Sequence, residues 1–281
     1  MNNFFNHAGY VFRSNPVTAV AFVAFAVIIV VAALGPLLVP YDPLATDAAR
    51  QFMAPSWQHW FGTDQVGRDI FSRTVVATRL DLLISVVAVA LSLVVGTALG
   101  CIAGYYGGWF DRLCGRLVDT IMAFPLFVLA MGIVAAMGNS VVNIIYATAI
   151  INLPFYIRLA RAEVNVRRDS AFVDAALLAG NSDTRIIARQ LLPNILPPMM
   201  VQISLNMGWA ILNAAGLSFI GLGVRPPAAE WGIMVAEGAQ YIVSGEWWIS
   251  LFPGLALMLC VLCFNFIGDG LRDMMDPRKR T

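Results

Sequence analysis

Long apolar runs decide what this chain can fold into. They occupy residues 17–39, 82–103, 117–137, 141–159, 199–222 and 249–267, with Pro125 interrupting the third and Pro154 near the end of the fourth. A helix needs about 20 apolar residues to cross the hydrocarbon core of a bilayer. Each run therefore reads as a membrane span, and the chain as an all-α, polytopic membrane protein with six transmembrane helices. The composition agrees: 59% of the residues are hydrophobic and 12% charged, against about 45–50% apolar and about 25% charged in soluble domains. The first run is longer than the apolar stretch of a secretory signal, about 7–15 residues, and no small-residue cleavage site follows it, so an uncleaved span is expected. Residues 1–80 then comprise an N-terminal segment, the first span and an external segment. Residues 81–281 form a core of the other five spans.

Charge sets the orientation. Arg13, Arg112, Arg116, Arg158, Arg161, Arg167, Arg168, Arg185, Arg189, Arg272, Arg278, Lys279 and Arg280 fall on one side of six spans, against Arg50, Arg68, Arg73, Arg79 and Arg225 on the other. The positive-inside rule places both termini in the cytoplasm. Trp57, Trp60, Trp231, Trp247 and Trp248 then cluster outside, where interfacial anchors are expected. The net charge of +1 gives no reason to expect nucleic acid as a partner.

Catalytic patterns are missing. The sequence holds no HExxH, GxSxG or phosphate-loop motif and no metal-ligand spacing of Cys and His. His7 and His59 lie outside the spans, and Cys260 and Cys263 read as small apolar residues one turn apart. Asp81, Asp119 and Asp269 sit near span ends, whereas ion-driven carriers place ionisable groups within the membrane. The chain is thus expected to be no enzyme, to carry no cofactor or metal, and to take its energy from elsewhere. A stand-alone ion-coupled carrier or channel is the alternative.

The segment DSAFVDAALLAGNSDTRIIARQLLPNILP, residues 169–197, is neither very apolar nor loop-like. Asp169 or Ser170 can cap a helix that Gly180 ends, and Asn181 or Ser182 can cap a second that runs towards Pro193, with Pro197 and Pro198 marking the next boundary. On the first helix Phe172, Ala175, Ala176 and Ala179 share a flank. On the second, Arg185 and Arg189 stand at i, i+4. Such a pair of helices can dock on a partner or rest on the protein's own surface.

The run D-A-A-x-x-x-G followed by L-P, at Asp174, Ala175, Ala176, Gly180, Leu192 and Pro193, resembles the EAA signature of binding-protein-dependent ABC importer permeases. Asp174 stands where the signature usually has Glu, and Gln190 where it has Ile. HWFGTDQVGRDIFSR, GYYGGWFDRLCGRLVDTIMAFP, GLSFIGLGVRPPAAEWG and FPGLALMLCVLCFNFIGDGLRDMMDPR are similar to the C-type permease of dipeptide, oligopeptide and nickel importers. The resemblance implies a cytoplasmic coupling segment within residues 161–197 that seats in a groove of an ATPase. It also implies a homologous second permease, two ATPase subunits that bind ATP and Mg, an external binding protein, and residence in a bacterial inner membrane. The solute it implies is a peptide or similar small molecule.

Two loops and one span complete the candidates. GTDQVGRD holds Asp64 and Arg68, and RPPAAEWG holds Glu230 and Trp231; these side chains read as contacts for a docked binding protein or, for the first loop, as local pairs in a structural turn. In the fifth span Gln202, Asn206 and Asn213 put amides on part of one face. They can line a solute pathway or bond between helices.

Overall fold

A computed structural model describes residues 15–275. Arg13, Arg278, Lys279, Arg280 and His7 lie outside the described residues. Helix α1 (Pro16–Leu38) starts on Asn15, whose side chain accepts the Thr18 N–H, with proline at its first position. An extended stretch with one short 3₁₀ turn (Ala48–Arg50) leads to α2 (Ile70–Tyr106), capped by Asp69 through the Ser72 N–H. There follow α3 (Gly108–Met122), α4 (Leu126–Met137), α5 (Val141–Arg167) and α6 (Ala171–Leu178). Then come α7 (Asp183–Ile186), a π turn (Ile187–Leu191), α8 (Leu192–Phe219), α9 (Trp231–Ala239) and α10 (Trp248–Met275). Among the described residues no strand forms; Thr63 and Asp69 make an isolated bridge.

The centre of the bundle is the pair α2–α5. Backbones meet there because Gly96, Gly100 and Gly104 face α5 without side chains. A Cβ on Gly96 would lie 2.6 Å from Tyr156 Cβ, one on Gly100 2.6 Å from the Ile157 carbonyl oxygen, and one on Gly104 2.9 Å from that of Arg161. Helix α8 packs on α10 through Gly208 and Gly268, and α1 lies across α2 and α10, with Phe25 and Phe264 rings 4.9 Å apart. Gly270 approaches Thr18 so closely that a Cβ would fall 2.3 Å from its methyl carbon. The start of α1 and the end of α10 are therefore at the same end of the bundle, called the lever end below because α6 and α7 also lie there. The other is the loop end.

Three expectations change. The second span begins at Ile70 rather than residue 82: Asp69 supplies a cap well upstream, and the polar residues of the first turns are buried by loops. The third span is no straight rod, because α3 and α4 meet at 89°, and α3 begins at Gly108, ahead of residue 117 where the third apolar run starts. Five helices are long and apolar enough to cross a membrane, or six if the bent pair is one span. Finally, Pro193, Pro197 and Pro198 do not interrupt the fifth span. The Leu192 N–H bonds back to Ile187 O across the π turn, so the ladder has slipped by one residue where Pro193 has no N–H to offer, and the helix runs on.

Candidate functional site

At the lever end, α6 stands clear of the bundle between two bends. The Ser170 hydroxyl donates to Arg167 O at 2.5 Å before the helix. After it, Gly180 N–H bonds Leu177 O at 2.9 Å and Asn181 N–H bonds Ala176 O at 3.1 Å, a paired C-terminal closure that requires a left-handed residue between them. Gly180 is that residue, with φ +76°. Val173 and Ala176 pack inward at 1% and 7% exposure. Phe172, Asp174, Ala175, Ala179 and Gly180 remain exposed. Ala176 therefore belongs to the inner face, because the helix turns its i, i+3 pair Val173 and Ala176 to the core. Leu178 takes its place on the outer strip at 90% exposure. The sequence reading missed it, although it stands four residues from Asp174 and three from Ala175.

Helix α7 and the π turn continue the segment. Ile186, Leu191 and Ile195 are fully buried, a spacing of five and then four that records the π turn. Arg185 and Arg189 point outward, and Arg185 Nη1 donates to Asn181 Oδ1 at 3.4 Å. Pro193 is exposed and Leu192 half-buried. Gln190 is half-buried, and its carbonyl accepts from Asn194 Nδ2 at 2.6 Å. Between α2 and the α7–α8 run lies an apolar groove of about 650 Å³, lined among others by Leu93, Thr97, Cys101, Leu192 and Met199.

The loop end is held by buried charge. Arg68 Nε meets Asp64 Oδ2 at 2.5 Å and its Nη2 meets Glu237 Oε2 at 3.2 Å. Arg73, 1% exposed, donates to the carbonyls of Pro43 and Pro227 at 3.1 and 3.2 Å. His59 Nδ1 lies 2.8 Å from Asp69 Oδ1. Glu230 caps α9 by accepting the Ile233 N–H at 2.8 Å, the Trp231 N–H donates to Asp81 Oδ2 at 3.1 Å, and Trp231 Nε1 donates to Thr74 O at 3.0 Å. Burial pushes the Glu230 carboxyl above the usual carboxylate range, against the opposing pull of hydrogen bonds from Ile233 and the others around it. Asp64, Arg68, Glu230 and Trp231 are thus all turned inward, at 4% exposure or less. They shape the loop-end surface from beneath and do not present themselves on it. The reason is the fold-back of α9, which wedges between α8 and α10 and brings Glu237 over Arg68. Trp231 and Trp248 are buried as well, so of the expected interfacial tryptophans Trp57, Trp60 and Trp247 are the exposed ones.

The amides of α8 also turn inward. Gln202 Nε2 donates to Asn206 Oδ1 at 2.8 Å, and Asn213 Nδ2 to Trp209 O at 2.9 Å. Asn206 and Asn213 are each 4% exposed, while Leu196, Met200, Trp209 and Leu212 make the outward face. Both bonds run between residues four apart within α8 itself.

Residues 96–281 match the family described as the binding-protein-dependent transport system inner membrane component. This chain belongs to that family. Residues 3–55 match the N-terminal transmembrane domain of oligopeptide transport permease C. A probable D,D-dipeptide transport system permease of Escherichia coli K12 is 42% identical over 96% of this chain and 90% of its own length. A dipeptide transport system permease of Alkalihalophilus pseudofirmus is 44% identical over 96% of this chain and 88% of its own. A glutathione transport system permease of Escherichia coli O1:K1 is 41% identical over 95% and 88%. The protein is a multi-pass inner-membrane permease subunit of an ABC importer; ATP hydrolysis belongs to a separate subunit, and an ATPase and a binding protein are its partners.

Proposed function

We propose that this permease imports short peptides or a peptide-like solute such as glutathione, delivered by an external binding protein. It pairs with a homologous second permease and docks two ATPase subunits, which hold ATP and Mg; the chain itself needs no cofactor. Both termini and the α6–α7 lever face the cytoplasm, in keeping with the arginines gathered at that end. The relatives' names share a peptide-bonded solute, which supports the substrate class.

The observation that carries the coupling role is the outer strip of α6. An eight-residue helix presents Phe172, Asp174, Ala175 and a 90% exposed Leu178 away from the bundle. Water-facing apolar groups of this kind suit an aromatic or aliphatic anchor entering a partner's pocket. Arg185 and Arg189 stand beside it as charged flanks. When the ATPases close on ATP, the strip moves with them, and the spans exchange outward for inward access. Asp64, Arg68, Glu230 and Trp231 set the shape of the loop end on which the binding protein rests. Uptake of a labelled dipeptide into proteoliposomes tests this. It should require ATP, the ATPases and the binding protein together; uptake by the permease alone under an ion gradient would favour a self-powered carrier.

A further inference from the structure

Helix α6 touches the bundle through few buried side chains, yet both of its flanks are tied to the same place. Before it, Arg168 Nη1 donates to the Gly104 carbonyl at 3.1 Å. After it, the Tyr105 hydroxyl donates to Asp183 Oδ1 at 3.0 Å. Gly104 and Tyr105 are neighbours in the last turn of α2, so whatever displaces the lever pulls on the end of that helix. Tyr106 is 55% exposed at the mouth of the groove; the Tyr105 ring packs against the buried core and keeps its hydroxyl on the aspartate. Asp183 opens α7, where the helix dipole favours a carboxylate, and a hydrogen bond to a charged group is stronger than a neutral one.

Helix α2 can pass that pull onward. It cannot slide on α5, because Gly96, Gly100 and Gly104 press against the Tyr156–Val164 backbone and Cβ atoms. Its 37 residues make a rod about 55 Å long. Its far end anchors the loop-end clasp: Arg73 on the carbonyls of Pro43 and Pro227, Thr74 O and Asp81 on the two N–H groups of Trp231.

We infer that Tyr105 is a positioning residue for coupling: through its bond to Asp183, movement of the lever enters α2, and the rigid α2–α5 pair carries it to the segments that hold α9 at the loop end. The inference rests on the coupling role proposed above for α6. Linkage makes the connection two-way, so a binding protein at the loop end alters the ATPases through the same bond.

The test uses the full assembly, permease pair, ATPases and binding protein, in proteoliposomes. Tyr105→Phe keeps the ring and removes the hydroxyl; Asp183→Ala removes the carboxylate that accepts it. The readout is the factor by which solute-loaded binding protein raises ATP hydrolysis, alongside solute moved per ATP. Each variant should lower that factor about fivefold to tenfold, with ATPase co-purification and thermal stability held. The double variant should lose no more than either single, since both remove one interaction. A wild-type factor in Tyr105→Phe, or a double loss equal to the product of the single losses, overturns the inference. A wild-type assembly that recruits no ATPase overturns the coupling role and this inference with it.

Discussion

The backbone N–H of Trp231 donates to Asp81 Oδ2 at 3.1 Å, and Glu230, the residue before it, accepts the Ile233 N–H at 2.8 Å. Both carboxyls are buried, at 1% and 0% exposure, and Asp81 Oδ1 and Glu230 Oε1 have no hydrogen-bond partner.

The sign of the pH dependence follows from Glu230. Burial raises its folded-state pKa above the unfolded value, so its contribution to stability is complete below the ordinary carboxylate range and is lost as pH rises through the raised value. Thermal unfolding of the purified assembly should show a midpoint that falls towards alkaline pH. Glu230→Gln removes the titrating carboxyl and should flatten that slope; an unchanged slope would remove Glu230 as its source.

Burial likewise separates the ion pairs. Asp64→Ala leaves the Arg68 and Arg73 guanidinium groups, 4% and 1% exposed, short of counter-charge and should cost about 3–5 kcal/mol. Arg50→Ala breaks its pair with Asp47, whose side chains are 50% and 45% exposed, and should cost less than about 1 kcal/mol. Denaturation midpoints in one detergent compare them directly.

Helix contact makes a similar contrast. Gly100→Ala forces a Cβ to 2.6 Å from the Ile157 carbonyl, whereas Gly115→Ala meets nothing within 4 Å. The first should destabilise by about 1–3 kcal/mol and the second should not, as read from thermal unfolding of the two variants.

Much of this was legible in the sequence. Apolar length gave the spans, and the Ser170, Gly180 and Ser182 punctuation gave the lever, because those signals are local. What was not legible depends on distant partners. Arg68 finds Glu237 from 169 residues away, and Trp231 finds Asp81 from 150, so nothing near GTDQVGRD or RPPAAEWG in sequence says that their charges face inward. Pro125 marks an interruption but not an 89° bend. The π turn left only the five-residue step from Ile186 to Leu191, and it is what lets α8 run through prolines that read as a boundary.

Gly180 offers a test of the lever's backbone. Its φ is +76° and a Cβ there would meet nothing within 4 Å, so Gly180→Val acts through strain alone, at about 1–2 kcal/mol. ATP-driven uptake should fall severalfold while the chain still inserts and accumulates; full uptake would show that the turn can adopt another form without consequence.

The central claim is that the outer strip of α6 seats the ATPase, and Leu178→Arg tests it most directly. At 90% exposure the change leaves the bundle's packing alone. The quantity to measure is the ATPase that co-purifies with the permease pair, with Val243→Arg, a 98% exposed site remote from the strip, as control. The account predicts that Leu178→Arg weakens ATPase binding by about 30-fold, the loss of one anchor of about 2 kcal/mol, and that Val243→Arg leaves it unchanged. Wild-type ATPase recovery with Leu178→Arg would contradict it.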